Sequence, residues 1–437
     1  MISPETFARY AAMRVPRYTS YPTAPNFVPA VDHNQYRSWL RSLNADEPVS
    51  IYLHIPFCRE MCWYCGCHTS VTRRHAPVSR YVASLVREIE LVAADLPPQL
   101  SVGHLHWGGG SPTLLTPSDV ARIHAVLKDR FRLDPMAENA VEIDPRTLTG
   151  DLVTAFARAG VNRASLGLQS FDPKVQLAIN RMQSFATTAH AVEALRQNGI
   201  PAINFDLIYG LPFQTVQSCL DTVEQALRLQ PDRVAVFGYA HVPSFKRHQR
   251  KIDESALPDA DERLRQSAAI AAALTGAGYR QIGLDHFALP GDSLSLAAEN
   301  GTLHRNFQGY TTDSCKVLLG FGASAIGQLP QGFVQNATRI PDYESRIQGN
   351  RLATVRGCGI DEEDKRLGAI IESLMCNYRA PVDANDPRLS GLKEDGLIRR
   401  AGDGIEVVEE ARPLVRTVAA AFDSYLNGSA ATHAAAV

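Results

Sequence analysis

Between residues 50 and 240, apolar runs of strand length alternate with segments whose apolar positions recur at helical spacing. The strand-length runs are SIYLHIP (50–56), HLHWGGG (104–110), AVEID (140–144), RASLGLQ (163–169), INFDLIYG (203–210) and RVAVFGYA (233–240). The periodicity between them predicts helices over about 77–94, 116–131, 150–159, 184–198 and 215–229, the last closed by Pro231. Six strands alternating with helices predict a parallel α/β sheet or barrel. Right-handed crossovers then place the strand C-terminal ends on one rim. Residues able to do chemistry crowd those ends: Cys58, Gly108–Gly110, Glu142, Asp144, Gln169, Asp206 and Tyr239–His241. In such folds this rim is where active sites form.

The flanks follow other patterns. Residues 1–48 are rich in Pro, Tyr and Arg and predict an irregular arm. Beyond 245 the repeat fades into a helix over 259–277, the polar-aromatic stretch LHRNFQGYTT (303–312) and GFGASAIG (320–327). DEEDKRLGAIIESLMCNYR, from 361, predicts another helix, followed by a hairpin over 396–408, and the last residues, NGSAATHAAAV, are expected to fray. The pattern divides the chain into an arm (1–48), a core (49–245), a core extension (246–360) and a helix-plus-wing module (361–437).

Composition narrows the function classes. The chain has 437 residues, 45% of them hydrophobic, and 44 Lys+Arg against 46 Asp+Glu. That is a packed protein of about two or three domains. The net charge of −2 provides no global field for nucleic acid or an anionic membrane. No apolar run approaches the roughly 18 residues that span a bilayer, and the N-terminal stretch lacks a secretory h-region. A cytoplasmic protein with reduced thiols is expected.

Four of the eight cysteines, Cys58, Cys62, Cys65 and Cys67, lie within ten residues. Cys219, Cys315, Cys358 and Cys376 are scattered and are expected to be buried small hydrophobes. A structural zinc site pairs two knuckles, and the second pair is missing. The C-x3-C-x2-C spacing of Cys58, Cys62 and Cys65 suits three irons of a [4Fe–4S] cube, leaving the fourth iron open to a small molecule. The motif, with aromatic Tyr64 before the last cysteine, resembles the radical S-adenosylmethionine (SAM) superfamily. In that superfamily the open iron chelates SAM, and reductive cleavage gives methionine and a 5′-deoxyadenosyl radical. Cys67 supplies a fourth thiol with no assigned role.

The resemblance extends along the chain. RYTSYPTA (17–24), YLHIPFC and CWYCGC (52–67), LHWGGGSPT (105–113), VEIDPR (141–146), FDLIYGLP (205–212), YAHVP (239–243), DHFA (285–288), LHRNFQGYTT (303–312) and MCNYR (375–379) occur in that order. Together they are similar to the oxygen-independent coproporphyrinogen III oxidase family. The segment TDSCKV (312–317) departs from the Gly-Asp-rich turn expected there.

This resemblance implies a partial (β/α)6 barrel with an N-terminal arm and a mainly helical C-terminal domain. It implies a [4Fe–4S] cluster on Cys58, Cys62 and Cys65, and two SAM molecules. Tyr52, Gly109, Glu142 and Ile326 would contact one; Tyr64, Gly110, Ser111, Gln169, Arg181, Asp206 and Ala240 would contact the other. The implied reaction removes two propionate carboxyl groups of coproporphyrinogen III to give the vinyl groups of protoporphyrinogen IX, in haem biosynthesis. Arg17, Arg305 and Gln308 are the substrate-side candidates, because the substrate carries four carboxylates. The implied partners are an electron donor such as flavodoxin or ferredoxin and an unidentified acceptor, around a monomer. Competing readings are a methyltransferase or haem-degrading relative, a haem chaperone, and a DNA-binding winged module. The arm and HRNFQGYTT weigh against the first, the RYTSYPTA arm against the second, and the acidic start of the 361–378 helix against the third.

Overall fold

A computed structural model describes residues 2–426, so the expected fraying of NGSAATHAAAV lies outside the described residues. Two compact units are present. One comprises Val28–Leu274 and Cys315–Gly357; the other comprises Met1–Phe27, Thr275–Ser314 and Cys358–Val437. Each is assembled from separated stretches, unlike the consecutive segments (1–48, 49–245, 246–360, 361–437) drawn from the chain pattern.

In the larger unit the predicted alternation is present: β1 (Val49–Ile55), α1 (His75–Ala93), β2 (Ser101–Gly109), α2 (Pro117–Arg130), β3 (Arg132–Ile143), α3 (Gly150–Arg158), β4 (Arg163–Gln169), α4 (Phe185–Gln197), β5 (Ala202–Tyr209), α5 (Val216–Arg228) and β6 (Arg233–Gly238). Neighbouring strands from β1 to β6 pair in parallel and in chain order, as a (β/α)6 unit requires. The helix starts are specified locally. Thr116 and Thr215 form capping boxes, and Thr149 and Ser184 accept hydrogen bonds from backbone N–H groups of the first helical turn. Leu53, Ile55, Trp107, Val141, Leu166 and Phe205 are fully or almost fully buried, each contributing about 2 kcal/mol or more of apolar burial.

Two features differ from the sequence reading. The arm is not irregular throughout: it forms helices Pro4–Ala11 and His33–Arg41. The segment after Cys315, where the sequence pattern predicts no strand, is a sheet. It forms β7 (Val317–Phe321), β8 (Ile326–Leu329) and β9 (Gly332–Asn336), and β7 pairs in parallel with β1. Short, glycine-rich strands lack the alternation that would reveal them.

Glu88, on α1, secures this addition. It is fully buried and accepts hydrogen bonds from the Gly322 N–H (2.7 Å), the Asn336 amide (2.7 Å) and the Tyr343 hydroxyl (2.8 Å). Burial pushes its carboxyl up to about 7, although all three donors favour the anion. The folded state therefore holds a proton that the unfolded chain releases near 4.5. Stability from this group is fully present below about pH 4.5 and falls as pH rises towards about 7, by about 3 kcal/mol. The urea midpoints of wild type and Glu88→Gln, compared at about pH 5 and about pH 8, should show this slope in the wild type and a flatter response in the variant.

In the smaller unit, helix Glu362–Asn377 begins at an Asp361 capping box. The predicted hairpin forms Ile398–Ala401 and Gly404–Val407, with Arg379–Ala380 alongside. Arg379 and Arg399 both fork onto Glu406. The RYTSYPTA stretch packs here: Tyr18 and Tyr21 join the core of Leu367, Ile371 and Leu374. Their hydroxyls meet Asp423 (3.0 Å) and Ser424 (2.9 Å).

Candidate active site at the strand C-terminal rim

The cysteine loop leaves β1 at Ile55. Phe57–Cys58 pairs in parallel with Ser70–Val71, closing the loop at its base. The Thr69 hydroxyl donates to Cys58 Sγ (3.1 Å), and the Cys67 N–H to Cys65 Sγ (3.4 Å). Arg146 and Arg181 each donate to Cys62 Sγ at 3.6 Å. Burial pushes the Cys58 thiol up to about 12. Hydrogen bonding from the Cys67 side chain brings Cys65 down to about 6 against its burial.

All eight cysteines are thiols outside any disulfide. Cys219, Cys358 and Cys376 are buried as expected, but Cys315 is only partly buried. Its sulfur lies 3.2 Å from where a Gly103 Cβ would stand, so it fills the space of a missing side chain.

Among the described residues, no three His, Cys, Asp or Glu side chains form a group suited to one metal ion. A cubane makes a different demand, since each thiolate takes a separate iron. Three free thiols on one loop, with two guanidiniums at the middle sulfur, fit an anionic cluster.

Beside the loop, β2 ends in the glycine run. The Gly109 N–H donates to Glu142 Oε2 (3.0 Å), and His106 Nε2 lies 3.1 Å from Glu142 Oε1. A Cβ on Gly108 would stand 2.6 Å from Glu142 Oε1, and Gly109 adopts φ +113°. The protein's own carboxylate therefore needs the missing side chain, a reason the sequence did not show. Gly108→Ala should displace that carboxylate, and SAM affinity of the reconstituted protein, read by equilibrium dialysis, should fall about tenfold or more.

Tyr52 on β1 stacks on His106 with ring centroids 5.8 Å apart, and its hydroxyl meets His54 Nδ1 at 3.0 Å. β7 places Gly320 opposite Tyr52, and a Cβ on Gly320 would strike the Ile326 carbonyl. Tyr52, Gly109, Glu142 and Ile326 are thus gathered around the ends of β1, β2, β3 and β7.

The residues of the other predicted group lie along or just beyond β2, β4, β5 and β6, with Tyr64 in the cysteine loop. The β4–β5 register shifts between Gly167 and Gln169, and Gln169 takes φ +67°. Such an irregularity re-aims a side chain at a strand end. Gln169 Oε1 is buried with no hydrogen-bond partner, as is Arg181 Nε. The Arg181 guanidinium donates to the Gly167 carbonyl (2.6 Å) and lies 3.6 Å from Asp144. Asp206, opposite Gly167 in the register, accepts from Ser165 (3.2 Å) and Asn204 (3.1 Å). Ser111 is buried in a hydroxyl chain with Thr113 and Thr147, at 2.6 Å per link. A Cβ on Gly110 would strike Thr69 Oγ1. Tyr64 packs beside Tyr239, Ile179 and Leu211.

Sequence reasoning assigned no role to two residues that shape this site. Arg146, inside VEIDPR, is held by Asp144 (2.7 Å) and reaches Cys62. Gln249 is 1% exposed and donates to the carbonyls of Tyr64 (2.9 Å) and Ala240 (3.3 Å), while accepting from the Val242 N–H (2.6 Å). It ties the cysteine loop to the end of β6 from a short 3₁₀ turn that no sequence periodicity announces.

The remaining candidates lie in the smaller unit. Arg305 and Gln308 belong to the hairpin His304–Asn306/Gly309–Thr311. The Arg305 guanidinium lies over the Tyr310 ring (4.3 Å), and its Nε and Nη1 are buried without hydrogen-bond partners. Burial opposes ionisation of Asp285, but His286, then the charges of Arg305 and Arg17, bring it to about 2. Burial, then Arg17 and Arg305, lower Arg416 to about 10. Arg416 donates to the carbonyls of Val15 and Pro16, next to Arg17.

A six-stranded parallel α/β unit with a three-cysteine loop after its first strand defines a radical SAM enzyme. The superfamily profile matches residues 52–226. An oxygen-independent coproporphyrinogen III oxidase of Bradyrhizobium diazoefficiens is 54% identical, over 98% of this chain and 98% of its own. One from Pseudomonas aeruginosa is 40% identical, over 94% of this chain and 93% of its own. Among solved structures, the radical SAM enzyme coproporphyrinogen III oxidase from Escherichia coli matches with a TM-score of 0.88 and 35% identity, over 95% of this chain and 100% of that one. The chain belongs to the oxygen-independent coproporphyrinogen III oxidase family. Its cofactors are a [4Fe–4S] cluster and SAM. No helix among the described residues is long and apolar enough to cross a membrane.

Proposed function

We propose that this chain oxidatively decarboxylates two propionates of coproporphyrinogen III, giving the vinyl groups of protoporphyrinogen IX. The observation that carries this reading is likeness along nearly the whole chain to oxygen-independent coproporphyrinogen III oxidases. Cys58, Cys62 and Cys65 hold the cluster; when bound, cluster and SAM supply a 5′-deoxyadenosyl radical, able to take hydrogen from an unactivated propionate carbon.

The chain's own residues position and screen. Arg146 and Arg181 bring positive charge to the Cys62 thiolate. Tyr52, Gly109, Glu142 and Ile326 seat one SAM, with the Glu142 carboxylate accepting from the ribose hydroxyls. Tyr64, Gly110, Ser111, Gln169, Arg181, Asp206 and Ala240 seat a second. Two observations support the second seat: the unpartnered Gln169 Oε1 and Arg181 Nε are buried groups that a ligand would satisfy. Arg305, with two unpartnered nitrogens, and Arg17 receive substrate carboxylates, and Gln308 lies on the same hairpin. The enzyme works as a monomer in the cytoplasm, with an external one-electron donor and a separate acceptor.

The test is anaerobic. Reconstituted enzyme is given SAM, dithionite and coproporphyrinogen III, and 5′-deoxyadenosine and protoporphyrin are quantified together. Two deoxyadenosines per protoporphyrin are expected. Deoxyadenosine without vinyl product would remove the substrate assignment, and tight haem binding with neither product would point to a chaperone.

A further inference from the structure

The segment Lys246-Arg247-His248-Gln249-Arg250-Lys251 carries four Lys and Arg and no acid, in a chain of net charge −2. It forms a turn of 3₁₀ helix over Arg247–Lys251. Its polar side chains grip the cysteine loop. Lys246 Nζ donates to the Cys67 carbonyl (3.1 Å), His248 Nε2 to the Cys65 carbonyl (2.7 Å), and Gln249 to the Tyr64 carbonyl (2.9 Å). The Lys251 ammonium lies over the Trp63 ring (5.7 Å). Arg247 and Arg250 remain exposed, and Phe245 beside them is 69% exposed. Nearby acids are engaged locally: Asp253 caps the next turn and Glu254 pairs with His241.

The loop's other flank is held by the Asn180 amide on the Met61 carbonyl and the Trp63 N–H on the Ile179 carbonyl. That flank presents Leu177 and Met182, 69% and 57% exposed. Exposed apolar side chains near fixed cations, on a chain without general positive charge, have the make-up of a protein docking surface.

We propose that the 245–251 ridge is the docking surface for a small acidic protein that carries one electron at a time. The inference rests on the cluster assignment above. In the step it serves, one electron leaves the donor's reduced flavin or iron–sulfur centre and enters the oxidised cluster. The donor is oxidised by one electron, the cluster is reduced by one, and no bond is made or broken between the proteins. Charge complementarity brings the acidic carrier to the ridge, and the ridge is bonded directly to the backbone of Cys65. The positive charge steers encounter, so its effect is on association rate and is screened by salt.

The test compares wild type with Arg247→Glu/Arg250→Glu, using reconstituted full-length protein with matched iron content and circular dichroism. Anaerobic stopped-flow absorbance follows cluster reduction by reduced flavodoxin, and in parallel by dithionite. The expected result is about a tenfold or larger fall in the flavodoxin rate at low salt. The wild-type rate should drop as salt rises, and the dithionite rate should be unchanged. Phe245→Ala should also slow flavodoxin without affecting dithionite. An unchanged flavodoxin rate in the double variant would overturn the proposal, as would an equal loss with dithionite or a raised KM for coproporphyrinogen under dithionite. Wild-type protein that binds no cluster would instead overturn the reading on which the inference rests.

Discussion

Cys62→Ala is expected to remove the cluster and all 5′-deoxyadenosine formation, a loss of at least about a thousandfold in SAM cleavage. Cys62 is the middle thiol of the three and is buried, with Arg146 and Arg181 both donating to its sulfur. Alanine removes one of three proposed ligands. It also leaves two guanidiniums facing a methyl group, with Asp144 as the nearest remaining counter-charge. The anionic, thiolate-ligated assembly then loses a covalent anchor and the centre of its positive surroundings together. Iron content and the visible absorbance of the reconstituted protein read the first effect; deoxyadenosine by chromatography reads the second. Cys219→Ala is the matched control. That cysteine is buried on α5, and its loss should lower stability modestly while leaving iron and deoxyadenosine unchanged. Equal iron in both variants would remove Cys62 from the ligand set.

The second large effect separates the two proposed SAM seats. Glu142→Ala is expected to lower SAM affinity and abolish deoxyadenosine, because the carboxylate is removed from a cradle built around it by the Gly109 N–H, His106 and Gly108. Charge-assisted hydrogen bonds contribute about 1.5–3 kcal/mol each, so loss of a bidentate contact to a ribose should weaken binding about a hundredfold or more. Asp206→Ala should behave differently. It acts on the other group, beside Ser165 and Asn204, so SAM stoichiometry by equilibrium dialysis should fall from two to one with the cluster retained. A wild-type stoichiometry of one, or the same loss from both substitutions, would contradict two separate seats.

Much of this site was legible because its signals are local. C-x3-C-x2-C is a spacing, the glycine run is a composition, and strand ends follow from periodicity. Glu142, Gln169 and Asp206 were placed at a common rim because parallel strands with right-handed crossovers leave their ends on one side. Arg146 and Gln249 were missed for the opposite reason. Nothing in their neighbours distinguishes them; their roles come from where a side chain reaches after folding. The short strands after Cys315 escaped notice because they have little alternation to reveal, and because pairing of β7 with β1 joins stretches more than 250 residues apart.

By itself, the sequence determined the alternating α/β core, the cysteine loop and the family resemblance, since each is encoded by neighbours along the chain. The tertiary structure decided which groups meet. It brought Arg146 and Arg181 to one sulfur, seated the Glu142 carboxylate over Gly108, joined the RYTSYPTA tyrosines to the C-terminal core, and bonded the 246–251 segment to the cysteine loop. Those contacts depend on strand register, bulges and side-chain reach across long separations. These are products of the packed whole, and no local propensity specifies them.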